Sequence, residues 1–236
     1  MVNREFRITD GKTMWIAVLL FASLWTAIQP VHGEEQLPEE AELQFELPEP
    51  FFGGTPLDGW FPNLEEFTYK ERPPFKAPVG TAIVSRQKPV SSSASPLRGK
   101  LEQVVDGKKG YEPENVLELP EGLQWTQVDL QEEFEVYAIL LWHNFRGIHI
   151  YFDVIGQASN DPEFKKDVTE FYNNDIDNTS HLGAGKDKEY LERNYGRLFD
   201  LKGIKARYIR FYGNGNTNTS TNQVVEIEVW GKKSDN

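Results

Sequence analysis

The chain has 236 residues, a net charge of −12 and no cysteine. This composition excludes disulfides, thiolate metal sites and cysteine nucleophiles, and the length suits one domain with additional segments. The acidity is uneven, because residues 34–66 carry ten acidic side chains and no Lys or Arg, whereas residues 67–236 carry 25 acidic and 22 basic ones. Neither part has the basic stripe that would attract nucleic acid or an anionic membrane surface.

The N-terminus has the order of a secretory signal peptide. Three basic residues precede an unbroken apolar run at residues 14–28, MWIAVLLFASLWTAI, and small or β-branched residues follow up to Gly33. Fifteen apolar residues are fewer than the roughly twenty of a membrane span. We predict a signal peptide over residues 1–33, with a retained N-terminal anchor as the alternative. No later stretch has transmembrane length, so a secreted, periplasmic or cell-envelope protein is expected.

Residues 34–80 are rich in Pro and Glu and lack helical or strand periodicity. This composition predicts an extended leader. Its aromatic cluster is too apolar for a pure spacer, so it either packs back against the domain or binds a partner. The cluster comprises Phe51, Phe52, Trp60 and Phe61.

From residue 81 the sequence consists of short runs rich in β-branched and aromatic residues, which are separated by Gly, Asn, Asp and Pro. The runs are AIVSRQKPVSSS, LQWTQVDL, EVYAILLWH, IHIYFDVIGQAS, KARYIRFY and VVEIEVWG. Long amphipathic helical patterns are missing from this region. The pattern predicts an all-β sandwich or jelly roll over residues 81–233.

Several stretches also follow one another in a familiar order. They are AIVSRQKPVSSS, VVDGKKG, LQWTQVDLQEEFEVYAILLWH, DVIGQASNDPEF, ARYIRFY and VVEIEVWG. The series resembles the discoidin, or coagulation factor V/VIII type C, domain, and most closely its secreted bacterial form with an acidic, proline-rich leader. The resemblance implies a galactose-binding-like jelly-roll β-sandwich preceded by an extended leader. It also implies a non-catalytic protein that binds ligands through loops at one end.

Two polar stretches are candidates for the ligand-binding loops. The first, LLWHNFRGIHIY, clusters the residue types that family members use, and the second, GNGNTNTSTNQ at residues 213–223, joins the last two strands. Asparagine side chains carry donors and acceptors for hydroxyl pairs. The alternatives are a strand end with a solvated turn for the first stretch and a mobile turn for the second. The candidates are His143, Asn144, Arg146, His149, Asn214 and Asn216.

The resemblance further implies a structural calcium ion held by backbone carbonyls, by Asp106 in an early Asp-Gly turn and by Glu226 in the last strand. Two lysines follow that turn at positions that are often acidic or polar in the family, so an ordinary turn is the alternative. A weaker metal candidate is the stretch NNDIDNTSHLGAGKDKEY, in which Asp175 and Asp177 have alternate spacing. Here a solvated surface loop is the alternative.

The sequence contains no nucleophile elbow, zinc motif or phosphate-binding loop, and we predict that the protein is not an enzyme. We expect a secreted binding module for carbohydrate or cell-surface glycan. An envelope or matrix module for protein–protein contacts is the alternative, and a hydrolase is the least favoured class.

Overall fold

The computed structural model describes residues 39–51, 53, 59–67, 70 and 72–234. The predicted signal peptide and Phe52 lie outside these residues. The described chain forms two short 3₁₀ turns, Leu101–Val105 and Pro113–Asn115. No helix among the described residues is long and apolar enough to cross a membrane. The strands are β1 (Glu40–Glu42), β2 (Lys76–Pro78), β3 (Ala82–Ile83), β4 (Val90–Ser92), β5 (Leu117–Leu119), β6 (Gln124–His143), β7 (Ile155–Ser159), β8 (Thr169–Asn173), β9 (Arg197–Gly213) and β10 (Asn222–Lys233).

The strands of the main sheet are antiparallel and follow the order β3-β10-β6-β9-β7-β8, with β4 beside β6 and β5 beside β10. Strands β6 and β9 are long enough to take part in both layers. The first part of β6, up to Asp129, pairs with β4 and the end of β9, and the part from Phe134 pairs with β10 and the start of β9. The pairing register shifts between these two parts. The predicted all-β sandwich is confirmed.

The core lies between the two layers. Val128 and Ile209 from one layer belong to the same buried cluster as Ile139 and Ile227 from the other. Side chains alternate along a strand, so the neighbours of Ile139 point to the opposite face of the sheet. That face is also covered, because Ala138, Leu140 and Trp142 are fully buried in two further clusters.

The described part of the segment predicted as a leader supplies this cover. Strand β1 pairs with β2, and Leu43 packs into the cluster around Ala138. The ring of Phe45 lies 5.4 Å from that of Trp230, and the ring of Phe51 lies 5.0 Å from that of Tyr111. This segment therefore contains short strands as well as extended chain. The domain boundary at residue 80 stays a prediction.

Three loops meet at one end of the sandwich, which we call the loop end. They are residues 144–154 after β6, residues 174–196 after β8 and residues 214–221 after β9. Backbone hydrogen bonds join them: Asn214 N–H donates to Phe152 O at 2.9 Å, Asn174 N–H to Val154 O at 3.2 Å and Glu192 N–H to His149 O at 2.9 Å. The polar stretches chosen from the sequence are thereby brought together.

Candidate functional site

His143 ends β6 and is buried at the base of the loop end. Its Nδ1 lies 2.9 Å from Oε2 of Glu192, which is also buried, and its ring stacks on that of Tyr151 at 4.1 Å. Burial, reinforced by the Glu192 carboxylate, raises the pKa of Tyr151 well above its ordinary value, so its hydroxyl stays protonated and donates to Asn144 O. His143 therefore supports the loops from below and does not face solvent.

The loop after β6 carries the other candidates of the first stretch. Asn144 Oδ1 accepts the Arg146 N–H at 3.0 Å, and Asn144 Nδ2 donates to Gln223 Oε1 at 3.0 Å. The Arg146 side chain is exposed and forms no ion pair within the described residues. His149 is buried beneath it, with Nε2 lying 3.1 Å from Arg146 O and Nδ1 unpartnered. Of these residues, Arg146 is the one that faces solvent.

The second polar stretch forms an ordered turn with its own hydrogen bonds. Asn216 is buried, and its Oδ1 accepts the N–H groups of Asn218 and Thr219 at 2.8 and 3.1 Å. Asn214 Nδ2 donates to Asp153 Oδ2 at 2.8 Å. The structure thus places Asn214 beside the acidic residues of the loop end.

Those residues form an oxygen-rich cluster able to hold a metal ion. One carboxylate oxygen from each of Asp153, Asp175 and Asp177 lies within 4.8 Å of the others. Ser180 N–H donates to Asp175 Oδ2 at 2.9 Å, and Thr179 Oγ1 donates to Asp153 Oδ2 at 3.0 Å. Burial raises the pKa of Asp153, whereas hydrogen bonds outweigh burial and lower that of Asp175. An all-oxygen set suits calcium.

The sequence identified two members of this cluster and missed the third. Asp175 and Asp177 share one loop, where their spacing is visible. Asp153 belongs to another loop and has a left-handed backbone, with φ at 51°. Only the pairing of β7 with β8 brings it close, and no local signal in the sequence marks it.

Asp106 and Glu226, which the resemblance implies as calcium ligands, lie close to positively charged side chains. Glu226 is buried, and both of its carboxylate oxygens accept the Gly107 N–H at 3.1 Å, with the Arg86 guanidinium 3.9 Å away. Burial raises the pKa of Glu226 to about 8, against the effects of the Gly107 N–H and Arg86. Asp106 Oδ1 accepts the Lys108 N–H at 2.8 Å, as in an ordinary Asp-Gly turn.

A second buried carboxylate on the same strand also has a cationic partner. Lys109 Nζ lies 2.8 Å from Glu228 Oε1 and donates to Glu46 O at 2.7 Å. Lys109 and Arg86 thus supply positive charge around these glutamates. Calcium at Asp106 and Glu226 stays a prediction.

Beside the loop end lies a concave cavity of about 400 Å³, which we call the ring-lined cavity. Its walls include Phe51, Phe67, Phe145, Ile148, Arg193 and Tyr195. The guanidinium of Arg193 lies 3.8 Å from the centre of the Phe67 ring, which is 40% exposed. Phe145 and Gly147 line the cavity, whereas Arg146, which lies between them in the chain, does not. The size falls in the range of small-molecule sites, roughly 300–1,000 Å³.

Comparison with known proteins adds distant structural similarities. No protein-family model matches the sequence, and no curated protein matches it. A family 89 glycoside hydrolase from Clostridium perfringens is 17% identical with a TM-score of 0.48, over 64% of this chain and 15% of that one. The chain thus spans about 15% of that enzyme's length.

Other similar structures are small carbohydrate-binding proteins. A fucose binding module from Streptococcus pneumoniae is 17% identical with a TM-score of 0.47, over 64% of this chain and 99% of that one. The lectin domain of lectinolysin, complexed with Lewis b antigen, is 19% identical with a TM-score of 0.45, over 66% of this chain and 100% of that one. Similarities this distant do not assign a ligand to this chain.

Proposed function

We propose that the protein is a non-catalytic carbohydrate-binding module whose ligand occupies the ring-lined cavity. Sugars require an apolar ring face for their C–H groups and fixed polar groups for their hydroxyls. The cavity offers the ring of Phe67, which is 40% exposed, and the guanidinium of Arg193 beside it. This combination in a concave site is the observation that carries the proposal, whereas a flat apolar patch would favour a protein partner.

The proposal is tested by a glycan array with the full chain, followed by calorimetric titration of the sugars that bind. Phe67→Ala removes a ring and Arg193→Ala removes a charged donor from the cavity, so we expect each variant to weaken binding about tenfold. His143 is a poor choice for substitution, because its loss leaves the buried Glu192 without its partner and lowers stability.

Lys165→Ala is the matched control. Lys165 is exposed in the loop that follows β7, at the end of that strand opposite to the loop end. We expect its binding and melting temperature to equal those of the wild type. The proposal is contradicted if no sugar on the array binds, or if both cavity variants bind the sugar as tightly as the wild type does.

Two finer statements belong to the same proposal. We infer that the ion suited to Asp153, Asp175 and Asp177 is calcium, because its ligands are all hard oxygens. We also propose that the chain is a secreted member of the discoidin family, exported by its N-terminal apolar segment to the medium or cell envelope. The order of its β-type runs and its proline-rich leader support this assignment.

A further inference from the structure

Two buried carboxylates lie side by side on the last strand. Glu226 and Glu228 are two positions apart on β10, so their side chains point to the same face of the sheet. Their side chains are 1% and 0% exposed. Carboxylates removed from water in this way need positive charge close by. The resemblance to the discoidin family implies that a calcium ion supplies this charge at Glu226.

Two side-chain cations already lie at this position. Lys109 Nζ lies 2.8 Å from Glu228 Oε1, and the lysine side chain is only 6% exposed. The Arg86 guanidinium faces both glutamates, with nitrogen–oxygen distances of 3.9 Å to Glu226 and 3.5 Å to Glu228. The two cations therefore match the full charge of the two carboxylates.

The residues present do not fit a calcium ion. Calcium takes about six to eight oxygen ligands. Both oxygens of Glu226 instead accept the Gly107 N–H at 3.1 Å, and the Lys109 ammonium lies beside Glu228 Oε1, where an ion bound to that oxygen would have to lie. Glu228 Oε2 has no hydrogen-bond donor among the described residues, but a single oxygen is far fewer than calcium needs.

Lys109 also connects the leader to this cluster. Its ammonium donates to Glu46 O at 2.7 Å and lies 5.0 Å from the centre of the Trp142 ring. Glu46 belongs to the segment that covers the outer face of the sheet, whereas Lys109 directly follows the early Asp-Gly turn. One ammonium group thus joins the turn, the last strand and the leader.

We infer that Lys109 and Arg86 take the place of the calcium ion that the resemblance implies at Asp106 and Glu226. The chain thereby holds its early turn, its last strand and its leader together without a metal ion at this position. Because both cations are side chains, this connection does not depend on the calcium concentration around the protein.

The first test measures the melting temperature and the calorimetric binding of calcium in an Asp175→Asn variant of the full chain, which lacks one carboxylate of the loop-end cluster. We expect neither calcium nor a chelator to change the melting temperature of this variant. A calcium-dependent rise that remains in this variant, and that disappears when Asp106→Asn is added, overturns the inference.

The second test removes the cation. Lys109→Met keeps a long side chain but leaves Glu228 without its closest partner, so the melting temperature should fall by about 10 °C, with calcium and with chelator alike. Adding Glu228→Gln should recover part of this loss, because the unpaired buried charge is then gone.

Lys108→Met is the matched control, because it makes the same substitution at the neighbouring lysine, whose side chain is 72% exposed. Its melting temperature should differ from that of the wild type by less than about 2 °C. Equal effects of the two lysine variants overturn the inference.

The wild-type protein provides an independent measurement if Lys109→Met does not fold. Limited acetylation of the native chain, read by peptide mass spectrometry, should modify Lys109 about tenfold more slowly than Lys108, since a buried amine reacts only when the structure opens. Equal rates would mean that Lys109 is not held in the cluster and would overturn the inference.

Discussion

Glu226 carries a carboxyl group whose ionisation opposes folding. Burial raises its pKa in the folded state to about 8, from 4.5 for an unperturbed glutamate. Between these values the folded state binds more protons than the unfolded state, so stability falls as pH rises. This loss of stability is absent below about pH 4.5 and complete above about pH 8, where it is on the order of 5 kcal/mol.

We therefore expect Glu226→Gln to remove most of the loss of stability between about pH 5 and pH 8. The measurement is chemical unfolding across this range for the wild type and the variant. Glu228→Gln is the matched control on the same strand. It removes the carboxylate that pairs with Lys109, so it should destabilise the protein at every pH in the range. Parallel pH profiles for the wild type and Glu226→Gln would show that Glu226 is not the titrating group.

Individual residue roles were the least predictable from sequence. His143, chosen as a ligand contact, is buried and paired with Glu192, 49 positions further along the chain. Arg193 and Phe67 belong to no recognisable sequence motif. Only their contact in the folded chain marks them as candidate ligand-binding residues. Arg146 was visible as a polar loop residue, and the structure leaves it exposed.

At the scale of elements, the second half of β6 has apolar side chains on its outer face that another segment of the chain must bury. The run EVYAILLWH is almost continuously apolar, which indicates a strand buried on both faces. The sequence offered packing of the leader's aromatic cluster against the domain as one of two readings, and Phe51 of that cluster does pack beside Tyr111. The two short strands of the leader were not identifiable, since the leader has no strand periodicity. Residues 39–51 and 72–78 provide part of that cover through Leu43, Phe45 and Ala77.

Two leucines of this segment make a matched pair for testing the cover. Leu43 is 8% exposed and packs beside Ala138, whereas Leu47 is 52% exposed. Leu43→Ala should lower the free energy of unfolding by about 2–4 kcal/mol, because it leaves a cavity in a packed cluster. Leu47→Ala should change it by less than about 0.5 kcal/mol. Equal effects in denaturant unfolding would mean that the segment does not pack as described.

At the scale of the whole molecule, bound calcium should stabilise the fold because it binds the native state. We expect calcium to raise the melting temperature of the full chain and a chelator to lower it. Asp175→Asn should abolish the shift if the ion lies at the loop end, and Asp106→Asn should abolish it if the ion lies at the early turn. If neither calcium nor the chelator changes the melting temperature, neither site binds calcium.

The sequence by itself determined the all-β class, because strand periodicity and turn residues are local signals. It also marked the polar loops, and it excluded thiol chemistry outright. Only the tertiary structure decided which leader residues pack on the sheet, that Asp153 lies close to Asp175, and that Arg193 contacts the ring of Phe67 in one cavity. These contacts join residues far apart in the chain, so they depend on strand order and loop packing, which local patterns do not encode.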